Sequence, residues 1–166
     1  EMQARRVNRR LLPDIRIPDS VAVTSDINAA VDGADLLVAS IPTAFLRGAL
    51  TTHRDILASA APVVSVIKGI ENESFLRPTE IVTDVLGHDR VAVLAGPSHA
   101  EEFARGRPCS MVAAAKDESL AKQVQEMFTT DRFRVYTNSD VVGVELGGAL
   151  KNVLAIAVGI SDGLDY

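Results

Sequence analysis

The chain has one cysteine, Cys109, no tryptophan, and only 4% aromatic residues among its 166. A single cysteine excludes an intramolecular disulfide framework, and no Cys/His cluster has the spacing of a zinc site. Positive charge is also short. The 17 Lys+Arg against 22 Asp+Glu leave a net charge of −5, without the basic footprint of a dedicated nucleic-acid binder. The opening Glu1-Met2-Gln3-Ala4-Arg5-Arg6 lacks the apolar core of a signal peptide. Arg5, Arg6, Arg9 and Arg10 read as a solvated helix face rather than an anion site. Cys109 follows Pro108 with no basic activator beside it and reads as an inert thiol. These shortages leave a soluble protein of a reducing compartment, expected in the cytoplasm. The hydrophobic share, 47%, is ordinary for a chain that buries a core.

One long apolar stretch, Val141 to Ile160, matches the length of a bilayer span. It carries Glu145, Lys151 and Asn152 together with Gly143, Gly147, Gly148 and Gly159. Central charges are costly in lipid, about 2.5–3.5 kcal/mol each on insertion scales. The expectation is a buried helix of a soluble protein with no membrane span.

Three shorter apolar runs begin at Leu36, Val63 and Val91, at nearly even spacing. Continuous apolar runs of this length suit strands buried on both faces of a parallel sheet. Thr43 to Ala60 and Pro78 to Leu86 then supply the crossover helices, with Pro78 in a first turn and Gly87 just past the end. The result is βαβαβ, an open parallel α/β sheet. Val21–Ser25, 110–115 and Phe133–Thr137 read as further strands. Asp26 caps a helix ending at Gly33, and Asp117 caps one whose Leu120, Val124, Met127 and Phe128 share a face. Ser139 or Asp140 opens the last helix. The domain boundary is expected near residues 138–141, giving 1–138 and 139–166.

Ligands of open α/β sheets bind beyond the carboxyl ends of the strands. Those ends here are Pro42-Thr43, Lys68-Gly69 and Gly96-Pro97-Ser98. Lys68 is either a snorkelling lysine with its ammonium in water or a cation aimed at a ligand. Gly69 allows a tight turn, or close approach of the backbone to a ligand. Ser98-His99-Ala100-Glu101 is a capping-box pattern, and Gly96 before it would let a ligand lie against the main chain. His53, His88 and His99 are dispersed, with solvated or capping roles expected.

Lys151 carries the sharpest signal, set in Gly147-Gly148-Ala149-Leu150-Lys151-Asn152-Val153 among small and apolar neighbours. Either it sits at the edge of a bundle, or burial tunes it toward acid/base work near neutral pH. Glu145, six positions earlier, lies on another side of the helix and is a poor partner. The glycine pair costs roughly 1 kcal/mol per residue in helix propensity, which points to tight packing on the sheet.

Several of these segments together resemble the NAD(P)-dependent glycerol-3-phosphate dehydrogenases of bacterial type. They are Ile67-Lys68-Gly69-Ile70-Glu71, Ala95-Gly96-Pro97-Ser98-His99-Ala100-Glu101-Glu102, Glu145–Val153, the closing Ala157–Leu164, and Leu11-Leu12-Pro13. The resemblance implies a partial Rossmann-like doubly wound sheet followed by the first long helix of an all-α substrate domain. It implies interconversion of sn-glycerol 3-phosphate and dihydroxyacetone phosphate with NAD or NADP, feeding glycerophospholipid synthesis, in a full-length homodimer. Lys151 matches the family's acid/base lysine, with Asn152 beside it in the substrate set. Lys68 matches a lysine near both cofactor and substrate, Gly96 and Ser98 match substrate contacts, and Ala100 a cofactor contact. Pro42 and Thr43 fall where the nicotinamide half passes.

The family's Gly-x-Gly-x-x-Gly turn does not occur in this sequence. The expectation is therefore an internal fragment, inactive alone, with Val21–Ser25 separated from the rest of the sheet. Two other readings share parts of the pattern: a 6-phosphogluconate or hydroxyacid dehydrogenase, and a non-catalytic remnant that keeps only the sheet. The first of these lacks the pairing of Lys-Gly-Ile-Glu with Gly-Pro-Ser-His-Ala.

Overall fold

The computed structural model of the chain describes residues 2–166. Its core is a five-stranded sheet in the order β3-β4-β5-β6-β7, formed by Leu37–Ala39, Val63–Ser65, Val91–Ala95, Cys109–Ala115 and Phe133–Asn138. β3, β4 and β5 are parallel, with Val63 paired to both Leu37 and Val91. Every residue of β4 and β5 is buried, as expected for strands covered on both faces.

Side chains alternate across the sheet, so the helices divide by face. Val63 and Val91 pack with Leu46 and Leu50 of α3 (Thr43–Thr52) and with Ile81 and Val82 of α5 (Pro78–Leu86). Val64, Ala92 and Leu94 point the other way, onto Leu120 and Val124 of α7 (Glu118–Phe128). Val93, Ala95 and Ala114 meet Val141 and Val144 of α8 (Val141–Gly163). The sheet is doubly wound.

Local signals set the helix ends. Asp26, Asp117 and Asp140 accept the backbone N–H of Asn28, Ser119 and Gly143 at the starts of α2 (Ile27–Val31), α7 and α8. These carboxylates satisfy otherwise orphaned donors. α5 ends on Gly87 in the left-handed conformation, φ 75°, where a side chain would be strained.

Four expectations change. The helix expected over Thr43–Ala60 breaks at His53 into α3 and the short α4 (Arg54–Leu57). Thr52, the last residue of α3, bonds its hydroxyl back to the Gly48 carbonyl at 2.8 Å. β6 runs antiparallel to β5. Residues 96–108 join them and hold only the five-residue α6 (Ala100–Ala104), about 7.5 Å of helix against the ~17 Å of a five-residue strand, too short to carry the chain back along the sheet for a parallel return. Val21–Ser25 forms no strand and stays out of the sheet. Arg6 does not lie on a helix face, because α1 (Met2–Arg5) stops before it. Its φ is 56°, and its guanidinium donates to the carbonyls of Pro18 and Val21. It thereby ties down the hairpin of β1 (Val7–Asn8) and β2 (Leu12–Arg16).

α8 also differs from the buried helix expected. Val153, Leu154, Ile156, Val158 and Ile160 are all exposed. Geometry explains this: 23 residues run about 35 Å at 1.5 Å per residue, twice the ~17 Å of a five-residue strand. The helix docks by its first half and overhangs the sheet. It is the one helix among the described residues long and apolar enough to span a bilayer, yet Glu145 within it is hydrogen-bonded to Thr79 of α5.

Candidate active site

The carboxyl ends of β3, β4 and β5 meet at one edge. Ser65, buried at the end of β4, accepts the Ile67 N–H at 3.3 Å and turns the chain out of the sheet. Lys68 follows, and its ammonium donates to the carbonyls of Gly96 (3.1 Å) and Ser98 (3.2 Å). The side chain therefore stands in water but is not idle: it staples the loop after β4 to the loop after β5. Burial, and after it the charge of Lys151, hold the Lys68 ammonium below the usual lysine range.

The Lys68 loop is braced from behind. Arg47 of α3 grips the Glu71 carboxylate through Nε (2.9 Å) and Nη2 (2.9 Å), and also bonds Asp84. The guanidinium, with the Ser74 hydroxyl second, keeps the Glu71 carboxyl below the ordinary carboxylate range. Gly69 has φ 143°, and a Cβ there would lie 2.7 Å from the Thr43 hydroxyl. The positive φ gives the tight turn, and the bare Cα leaves room for the Thr43 side chain. The Thr43 hydroxyl is buried without a hydrogen-bond partner among the described residues.

One reading of the β5 loop is revised. Ser98 does not cap α6; the N-cap is His99, which makes no side-chain cap bond. Instead the Ser98 N–H turns back to the Gly96 carbonyl at 2.9 Å, while its own carbonyl faces Lys68. Gly96 also packs on the sheet: in the direction of a Cβ, β6 is in the way, with the Ser110 carbonyl oxygen at 2.8 Å and Met111 Cα at 2.9 Å. Because both obstacles are backbone, Gly96→Ala should destabilise the fold by about 1–3 kcal/mol, read as a lower urea midpoint.

Lys151 reaches the same place from α8. Its Nζ lies 3.4 Å from His99 Nε2. Gly148, one turn earlier, faces the Ala95 and Lys68 side chains at ordinary contact distance, while Gly147 faces open space. The packing inferred from the glycine pair thus applies to one of the two. His99, which the sequence suggests is merely solvated or capping, faces the Lys151 ammonium; only the fold, which joins positions far apart in the chain, shows this. Among the described residues neither Lys68 nor Lys151 has a carboxylate partner, so two cations face the edge uncompensated. Asn152 is exposed, and Pro42 stands at the N-cap of α3; neither is drawn into contact with the lysines. A cavity of about 330 Å³ opens beside Lys68, Ser98 and Ala100, floored by Val66, Leu94 and Phe103. Burial pushes the Cys109 thiol up, in keeping with an inert residue.

Residues 1–121 match the family model of the NAD-dependent glycerol-3-phosphate dehydrogenase N-terminus, and residues 140–166 that of its C-terminus. The chain belongs to the NAD-dependent glycerol-3-phosphate dehydrogenase family. It is 46% identical to the glycerol-3-phosphate dehydrogenase [NAD(P)+] of Syntrophomonas wolfei over 168 aligned positions, covering 99% of this chain and 49% of that protein. A second such protein, from Salinibacter ruber, is 46% identical over 96% of this chain and 48% of its own length. The crystal structure of the glycerol-3-phosphate dehydrogenase of Coxiella burnetii superposes with a TM-score of 0.86 at 36% identity, covering 99% of this chain and 50% of that one. The chain thus spans about half the length of the curated relatives it matches. The Rossmann-like sheet and the family expected from the motifs are both found.

Proposed function

We propose that this chain forms part of an oxidoreductase that interconverts sn-glycerol 3-phosphate and dihydroxyacetone phosphate with NAD or NADP. The observation that carries the reading is the meeting of two uncompensated lysines at the carboxyl edge of the sheet. One is fixed by the β4 and β5 loops and the other delivered by α8. Such a pair suits a phosphorylated substrate, and it suits an oxygen that gains negative charge during reaction.

In this reading the Lys151 amine takes the proton of the substrate C2 hydroxyl in one direction and returns it to the carbonyl oxygen in the other. Lys68 holds a fixed positive charge beside that oxygen. Its two carbonyl bonds keep it from folding away, so no reorganisation is needed when charge develops. Gly96 and Ser98 supply the backbone that borders the substrate, with Asn152 next to Lys151 on α8. NAD(P), when bound, supplies or accepts the hydride. The orphaned Thr43 hydroxyl beside the bare Gly69 backbone fits the polar nicotinamide end, with Pro42 and Ala100 flanking that path. The glycine-rich pyrophosphate turn has no counterpart in this sequence.

Residues 1–138 constitute a partial cofactor-binding domain in this scheme, and 139–166 open the substrate domain. A cytoplasmic homodimer goes with it, the exposed apolar face of α8 offering surface for further packing. The whole protein should oxidise NADH or NADPH in the presence of dihydroxyacetone phosphate, followed as loss of nicotinamide absorbance. Turnover of unphosphorylated dihydroxyacetone with none of the phosphate would overturn the reading.

A further inference from the structure

The one buried residue of α8 is charged. Glu145 is 4% exposed, and a carboxylate in that position is costly unless it is paired and hydrogen-bonded. Here both oxygens find partners on a segment distant in sequence. Glu145 Oε1 accepts the Thr79 N–H at 2.9 Å; Oε2 accepts the Thr79 hydroxyl at 2.6 Å and Arg77 Nη1 at 2.5 Å. Arg77 is held in turn by Glu80, through Nη2 to Oε1 at 2.7 Å, and its own N–H donates to Glu80 Oε2 at 3.0 Å. Thr79 lies in the first turn of α5, whose N–H groups have no partner within that helix.

The rest of the docking of α8 has no comparable directionality. Val141 and Val144 rest on Val93, Ala95 and Ala114, and Gly148 presents no side chain to Ala95 and Lys68. Apolar contact of this kind resists separation but not sliding or rotation. Three charge-assisted or hydroxyl bonds to one carboxylate resist both. Lys151 lies six residues beyond Glu145, about 9 Å along the same helix. A rotation of about 20° moves a group ~6 Å from the helix axis by about 2 Å, and misplacement of about 1 Å can cost catalysis about a hundredfold.

We propose that Glu145 is a positioning residue: clamped by Arg77 and Thr79, it fixes the register of α8 so that the Lys151 amine stands beside His99 and Lys68. The inference rests on the reading of Lys151 as the acid/base, but its geometry is tested without turnover. The whole protein is labelled with ¹³C-lysine and ¹³C-histidine and followed by NMR. Glu145→Gln keeps the shape and an acceptor for Thr79 while removing the charge. It should retain the fold, lose the cross-peak between the Lys151 ε-methylene and the His99 ring, and raise the Lys68 titration midpoint as far as Lys151→Met does. Lys68 bonds the Gly96 and Ser98 carbonyls, and the charge that bears on it, after burial, is that of Lys151, so a midpoint matching that of Lys151→Met reports departure of the Lys151 charge.

A folded Glu145→Gln chain with the cross-peak and the Lys68 midpoint unchanged overturns the proposal. Should Glu145→Gln fail to fold, Thr79→Val, which removes the single hydroxyl bond, is followed through the same two signals: their loss supports the clamp and their persistence overturns it. Restoration of the cross-peak in Glu145→Asp beside its loss in Glu145→Gln also supports the clamp. A kinetic failure of Lys151 as acid/base would leave these spectra untouched, so the two ideas fail separately.

Discussion

Replacing Lys151 by alanine in the whole protein should lower kcat by about 10²- to 10⁴-fold while KM for the phosphate substrate changes far less. The amine lies where α8 passes the β5 loop, 3.4 Å from His99 Nε2, and no carboxylate neutralises it among the described residues. A group that only moves a proton contributes chiefly in the transition state, so its loss falls on kcat and on kcat/KM together. A group that only grips phosphate contributes equally to ground and transition states, and its loss falls on KM. Steady-state kinetics with dihydroxyacetone phosphate separates the two. An unchanged kcat with a raised KM would remove Lys151 from proton transfer and leave it as a phosphate ligand. Circular dichroism of the variant checks that the helix survives, which is expected because alanine is the best helix former.

Much of this site could be read before any coordinates. β5 occupies Val91–Ala95 as its apolar run indicates, and α5 runs from Pro78 to a left-handed Gly87, because burial on two faces and a cap are written locally. The placing of Lys68 at a strand end followed from the same kind of run. What local pattern cannot encode is which distant groups meet. Ser98-x-x-Glu101 has the form of a capping box, yet the Lys68 ammonium claims the Ser98 carbonyl and His99 takes the cap position. Glu145 shows no partner on its own helix, and its partners lie on and just before α5, 66 and 68 residues back. The direction of β6 depends on how short α6 is, a length that five residues of weak periodicity do not announce. The exposure of α8 escaped for a related reason. Hydrophobicity says that a segment prefers burial, whereas the length of the strands beneath it decides how much of it this chain covers.

Lys68→Met should lower kcat/KM by about 10- to 150-fold in the whole protein, the range expected when one hydrogen bond to a charged group, worth about 1.5–3 kcal/mol, is lost. Methionine preserves the apolar stem that faces Gly148 and removes only the ammonium. Two consequences follow from the one charge. The carbonyls of Gly96 and Ser98 lose their shared donor, so the β5 loop that carries His99 loosens. The developing oxyanion also loses its fixed cation. Unlike Lys151→Ala, the loss should divide between kcat and KM, because the staple acts on the bound ground state as well as on the reacting one. Lys68→Arg separates the two roles. It restores a cation, but its planar fork cannot reproduce the geometry of an ammonium shared between two carbonyls, so KM should recover more than kcat. Equal recovery of both would show that charge alone matters and that the staple does not. Full activity in Lys68→Met would dismiss both roles and return the residue to the solvated lysine that its exposed position first allowed.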